Sequence, residues 1–309
     1  MEQTNFLLYN ATNIIEDTVK FFPSYDFIII GSGSGGSVMA NRLSENKKWN
    51  VLLLEAGRQE TFLTDVPLTA SANSATANNW GYRTDPHSQE ACLDYPDIEL
   101  VMGIGAFTGD ESGFLRGVFG IPRSFTDKVF GSVRGRHAFT IAPVLMKPKS
   151  RGRISLKTAN PFHWPHLRPN FYSNKEDMLI LREGIKIALQ VGESRAFKRF
   201  GTKFHDVPFP GCESFRFRSD NYWDCCIKRI ASSLQHQVGT CKMGVDPDSV
   251  FLINEFLKIF FISTVYGIKN LRVVDGSIMP EIPASHTNAV IFMIGEKAAD
   301  MVKKYWYGQ

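Results

Sequence analysis

Phe27-Ile28-Ile29-Ile30 is an unbroken apolar run of strand length, and it ends abruptly in Gly31-Ser32-Gly33-Ser34-Gly35-Gly36. The glycines open a helical pattern reaching Leu43, and a second apolar run, Val51–Leu54, ends in Glu55. Strand, helix and strand at this spacing predict a βαβ unit. From Pro96 to Thr158, β-branched and apolar residues broken by Gly and Pro predict antiparallel strands. Candidates are Ile98–Met102, Ala138–Met146 and Arg153–Leu156, the last two joined by the turn-like KPKSRG. Ser173 and Glu176 read as a capping box for a helix over Ser173–Val191, with an apolar pattern of Leu179, Ile180, Ile187 and Leu189. A shorter helix is expected from near Ser219 to about Ala231. The last helix should start just after Asn288, as its cap, and run through Ile294, Ala298 and Met301 to about Trp306. No internal repeat or low-complexity tract is visible.

Composition narrows the class. The chain has 309 residues, 43% hydrophobic and 21% charged, enough for two modest globular domains. Lys and Arg exceed Asp and Glu by 35 − 31 = 4, which reads as a scattered excess of solvated faces and not as a nucleic-acid stripe. Five Cys are too few for a disulfide framework and lack zinc spacing, so no metal site is expected; buried thiols or one disulfide involving Cys212 remain open. Residues 1–22 lack a basic start and apolar core, so no signal peptide is visible, and no apolar run reaches the ~20 residues of a membrane span. Asn10-Ala11-Thr12 is one glycosylation sequon.

The glycine run has a mechanical reading. Gly31 permits the tight turn, Gly33 lets backbone approach a pyrophosphate, and Gly36 lets helix and strand pack closely. Ser32 lies in the same turn, where helix-end amides meet phosphate charge. Glu55, followed by Ala56, would accept hydrogen bonds from the adenosine ribose, favouring FAD or NAD over NADP. The turn alone does not separate those two.

Two histidines in the last third do. His236 lies in Gln235-His236-Gln237-Val238-Gly239-Thr240-Cys241-Lys242-Met243-Gly244, and His286 in Ser285-His286-Thr287-Asn288-Ala289, after Leu271-Arg272-Val273-Val274-Asp275-Gly276-Ser277-Ile278-Met279-Pro280. A lone loop histidine is usually a surface residue, but two in Gly/Ser/Thr-rich turns could converge, and imidazole is the usual base for an alcohol proton near neutral pH. These segments, with the N-terminal turn and Val51-Leu52-Leu53-Leu54-Glu55-Ala56-Gly57, resemble the glucose–methanol–choline oxidoreductases. The stretch Pro143–Lys157 and the following Asn-Pro-Phe-His-Trp-Pro resemble the insect, glucose-dehydrogenase branch.

The resemblance implies an α/β fold: a Rossmann-like FAD-binding domain, here incomplete, beside an α+β substrate domain built on an antiparallel sheet. It divides the chain into an extension at 1–24, a partial FAD domain at 25–93, a substrate domain at 94–225 and an active-site segment at 226–309. His236 matches the family's base and His286 its second active-site position. Asp275 and Gly276 match residues at the flavin, and Thr287 and Asn288 the head of a helix facing its ring. The implied substrate is an alcohol or sugar, with a quinone as electron acceptor. Insect members are often secreted.

The chain departs from the family twice. After Asn79–Thr84 and Cys92 the family continues with a Gly-rich flavin-wrapping segment, whereas here Leu93 runs directly into Asp94 and the substrate-domain pattern. Phe251–Val265, with ten apolar residues in fifteen, replaces a short polar strand and turn. It reads as an extra element or as translated non-coding sequence. Together these predict bare sheet faces, weak FAD binding and impaired activity. A plain NAD-dependent enzyme would account for the first fifty-odd residues but not the histidine segments.

Overall fold

The computed structural model describes residues 21–57, 64, 97–103, 107–110, 116–117, 119–160, 162–244, 253–254, 264–265, 267–283 and 286–307. The sequon at Asn10, the stretch at 79–84, Cys92, the Leu93–Asp94 junction and most of 251–265 lie outside them.

The βαβ unit forms as the pattern predicts. Strand β1 (Phe27–Ile30) pairs in parallel with β2 (Val51–Leu54), Phe27 opposite Val51, and α1 (Ser34–Ser44) makes the crossover. Alternation decides its faces. Phe27 and Ile29 pack with Met39 and Leu43 of α1, while Ile28 and Leu54 are exposed and Ile30 is 83% exposed. Parallel sheets normally bury both faces.

The C-terminal helix, Thr287–Tyr307, closes the covered side through Ala298, Ala299 and Val302. Its Trp306 and Tyr307 reach the Phe27 and Trp49 rings. Arg42 of α1 grips Glu296 through Nε and Nη2, both at 2.7 Å.

The middle of the chain builds a second layer. Strand β3 (Ile98–Gly103) pairs antiparallel with β4 (Thr140–Leu145), after the short helix α2 (Arg123–Phe130). Helix α3 (Lys175–Gly192) lies on this pair; a Cβ on its Gly184 would sit 3.1 Å from Ile98 and Pro143, so glycine sets the approach. After the one-turn α4 (Arg195–Lys198), α5 (Asp220–Ile230) packs against α3, where Arg182 bonds Asp224 through Nη1 at 3.0 Å. A disulfide between Cys212 and Cys225 ties α5 to the loop before it, resolving the open cysteine question.

Several expectations need correction. Ala138–Met146 and Arg153–Leu156 do not pair with each other. β4 pairs with β3, and β5 (Arg153–Ser155) forms a hairpin with β6 (His166–Arg168). KPKSRG is a loop whose Lys149 and Ser150 amides donate to the buried Asp177 carboxylate at 3.0 Å each, not a hairpin turn. The cap of α3 is Asn174, whose side chain accepts from the Glu176 amide, and not Ser173. Its buried stripe runs through Met178, Ile180, Leu181, Gly184 and Ala188, leaving Leu179 and Ile187 exposed. Short strands Met243–Gly244 (β7) and Ile253–Asn254 (β8) also pair, in parallel. The C-terminal helix is α6 in this order.

Candidate active site

The glycine turn is held by its own backbone. Gly31, at φ +95°, donates to the Leu54 carbonyl at 2.7 Å, joining the turn to β2. A Cβ on Gly36 would lie 2.0 Å from the Gly31 carbonyl oxygen, so the turn closes only around glycine. A Cβ on Gly33 would meet nothing within 4 Å, and the first turn of α1 has no side-chain cap. Space and unsatisfied amides at a helix start together suit a phosphate.

Glu55 lies at the end of β2, with exposed Ala56 after it. Its Oε2 accepts from the Ser32 amide at 2.6 Å and hydroxyl at 2.7 Å, and its Oε1 from the Gly57 amide. These bonds, the Ser32 amide first, hold its carboxyl down at about 2. The residue expected to meet a ribose thus also braces the turn.

The second half of the chain is brought to this turn. A Cβ on Gly35 would lie 2.2 Å from the Val274 carbonyl oxygen, so α1 touches the backbone leading into Asp275. Asp275 Oδ1 accepts from the Ser277 amide at 2.7 Å and opens a 3-10 turn, Gly276–Ile278, with Gly276 buried against Ile291. Helix α6 begins at Thr287, which is buried. Asn288 is therefore inside its first turn and not its cap: the helix starts two residues earlier than expected. The Asn288 side chain instead accepts from the Ser34 hydroxyl at 2.6 Å, fastening the glycine turn to the head of α6.

His286 precedes that head directly. Its Nδ1 faces His236 Nε2 at 3.2 Å, with the rings edge-on, centroids 4.9 Å apart. His236 sits between a left-handed Gln235 and Gly239 at φ +80°, where a Cβ would be 3.0 Å from the Met279 carbonyl oxygen. The Cys241 amide donates to the Ser277 carbonyl at 3.0 Å, so the His236 loop is bonded to the Asp275 turn.

Glu99 on β3 completes the group, its Oε1 lying 3.3 Å from His286 Nε2 while its Oε2 is buried without a hydrogen-bond partner. Sequence reading missed it. The signal was present: a carboxylate amid Ile98, Leu100, Val101 and Met102. Ser34 and Gly35 were likewise missed as contacts. Burial pushes His236 below the ordinary imidazole value, the neighbouring His286 adds to this, and Glu99 opposes it. At neutral pH its ring is a neutral base.

The glycine turn of the βαβ unit is of the kind that lets backbone approach a pyrophosphate, and it is fastened to the helix that follows the histidine pair. Residues 148–295, just under half of the chain, match the GMC oxidoreductase family model. Over 169 residues the chain is 37% identical to glucose dehydrogenase (FAD, quinone) of Drosophila pseudoobscura pseudoobscura, covering 55% of this chain and 26% of the relative. It is 39% identical over 167 residues to alcohol dehydrogenase (acceptor) of Pseudomonas putida, covering 54% and 28%. The chain thus spans about a quarter of the length of these relatives. Among solved structures, formate oxidase of Aspergillus oryzae superposes with a TM-score of 0.52 at 25% identity, over 79% of this chain and 36% of that one.

Proposed function

We propose that this chain is part of an FAD-dependent oxidoreductase that oxidises the CH–OH group of an alcohol or sugar, of dehydrogenase type with a quinone acceptor. The observation that carries the reading is the His236–His286 pair at 3.2 Å, backed by Glu99. FAD, when bound, supplies the two-electron acceptor for the hydride leaving the carbinol carbon.

The rest falls to the chain. His236, neutral because burial lowers its pKa, takes the hydroxyl proton at Nε2. Glu99 holds the His286 ring at Nε2, and the contact between His286 Nδ1 and His236 Nε2 would give way to a substrate hydroxyl placed between the two nitrogens, its proton passing to His236. Gly31, Ser32, Gly33 and Gly36 would hold the pyrophosphate, with Glu55 and Ala56 at the adenosine end. Asp275, Gly276, Thr287 and Asn288 would line the ring end, where the α6 N-terminus stabilises negative charge by ~0.3–1 kcal/mol, up to ~2 when partly buried.

A second reading is favoured by the bare sheet face of Ile28, Ile30 and Leu54, and by a chain spanning a quarter of its relatives. On this reading the chain by itself holds flavin weakly and turns over little. One preparation decides between them. Stoichiometric visible flavin that bleaches anaerobically with an alcohol or sugar, and bleaches ~10²–10⁴-fold more slowly in His236→Ala, supports the enzyme. Colourless, folded protein supports the second reading, and an unaffected His236→Ala rate defeats the assigned base.

A further inference from the structure

The overall charge excess hides a concentrated one. Between Lys128 and Lys175 there are ten Lys or Arg and no Asp or Glu, so the remainder of the chain carries 25 basic against 31 acidic residues. The expectation of a scattered excess is thereby corrected. At the centre of this stretch lies the β5–β6 hairpin, with every residue of β5 exposed and His166 and Leu167 of β6 half-buried.

Four of its apolar side chains are exposed. Phe162 is 88% exposed, Leu156 84% and Trp164 54%, and Ile154 is also exposed. The loop is nevertheless built. Asn160 Oδ1 accepts from the Phe162 amide at 3.0 Å, the Asn160 carbonyl accepts from the His163 amide at 3.1 Å, and Thr158 Oγ1 lies 2.8 Å from His163 Nδ1. Phe162 is thus presented by bonded backbone, and its ordering cost is met before anything docks. At the hairpin's base, Lys149 pairs with Glu176 and Arg151 approaches Glu281. Further out, Arg153 and Lys157 pair with no acidic side chain among the described residues.

We propose that this hairpin is a membrane-docking surface for an anionic lipid headgroup layer: Phe162, Trp164, Leu156 and Ile154 enter the interface while Arg153 and Lys157 meet the headgroup charges. Trp favours the bilayer interface, and basic side chains beside an apolar cluster are what holds a protein on, and not through, an anionic bilayer. No described helix is long and apolar enough to cross one. Two aliphatic side chains among the aromatics favour lipid over single-stranded nucleic acid, whose bases stack on rings. Glu281, contacted from the hairpin base by Arg151, lies five residues before His286, so docking here would set the histidine loop near the membrane surface.

The test is sedimentation of the full chain with phosphatidylcholine vesicles, with and without about 25 mol% phosphatidylglycerol. Flavin content does not enter the measurement, so its failure is distinct from failure of the oxidoreductase reading. Binding to anionic vesicles only, weakened by salt, is expected. The paired charge reversal Arg153→Glu with Lys157→Glu should weaken it at least ten-fold, since each basic group contributes roughly five-fold. Phe162→Ser with Trp164→Ser should weaken it comparably. Both pairs are exposed, so far-UV circular dichroism should not change. Equal binding to neutral vesicles, no binding, or unaffected variants would overturn the proposal. So would capture by single-stranded DNA or polyglutamate in place of vesicles, or self-association that the apolar variant abolishes.

Discussion

The disulfide offers the most direct test of how the chain leading into the His236 loop is held. Cys212 and Cys225 are 13 positions apart, and Cys212 is fully buried among Tyr222, Trp223 and Cys226. Their bond fixes the loop at Cys212 to α5, and α5 ends six residues before His236. Closing a loop of this size removes denatured-state entropy worth about 3 kcal/mol, a factor of about 150 in the ratio of folded to unfolded chain. Urea unfolding of Cys212→Ser with Cys225→Ser, followed by fluorescence, should show that loss at an unchanged slope. Dithiothreitol should reproduce it in the parent and do nothing further to the variant. An unshifted midpoint, or a parent insensitive to reductant in partly denaturing urea, would refute the bond and the anchoring role drawn from it. Persistence of such a bond also requires an oxidising compartment, so expression in a reducing cytosol should lower the yield.

Other outcomes follow from single contacts. Removing charge at Glu99→Gln should move the acid limb of kcat/KM to lower pH, because Glu99 opposes the burial that lowers the His236 pKa. His286→Asn should move it up, because His286 adds to that lowering. A pH–rate profile with either sign reversed would remove His236 from the role of base. Gly35→Ala forces a methyl against the Val274 backbone and should cost ~1–3 kcal/mol in thermal unfolding, whereas Gly33→Ala faces open space and should lower flavin content while sparing stability. Asp177→Ala would strand the Lys149 and Ser150 amides at about 1–3 kcal/mol each, read by urea titration.

What was legible in the sequence was local. The βαβ unit follows from chain-neighbour rules: a glycine at φ +95°, a strand's alternation, a helix opening on a small residue. The α5 cap at Ser219, which accepts from the Tyr222 amide, is of the same kind. What failed was tertiary. KPKSRG has turn composition, but a carboxylate 27 residues away from Ser150 holds it as a loop, so β4 and β5 diverge to different partners. Leu179 and Ile187 fit a helical period, yet the stripe facing β3 and β4 is one set by Gly184. Glu99 lies 187 residues from His286, and only folding shows that the charge inside β3 has a partner.

The two ends of the proposed cofactor site are unequally finished, and the difference bears on which reading survives. At the ring end, the Asp275 turn, the His236 loop and the head of α6 share one cluster, with Ile278, Met279 and Ile294 buried and Val238, Val273 and Val290 packed on it. At the adenosine end the glycine turn is equally well bonded, but it stands on two strands with one apolar face in solvent. Among the described residues, a parallel sheet in that state lacks one of the layers that bury it. The relatives are about four times longer than the part matched here, so chain for such a layer exists in them. If that layer is supplied, by more chain or by a partner, the histidine pair is already assembled beside the glycine turn. If it is not, weak flavin retention should come with exposed Ile28 and Ile30, read as strong dye binding to apolar surface. Tight flavin binding together with that dye signal would separate cofactor retention from sheet completion, and would break the link proposed between them.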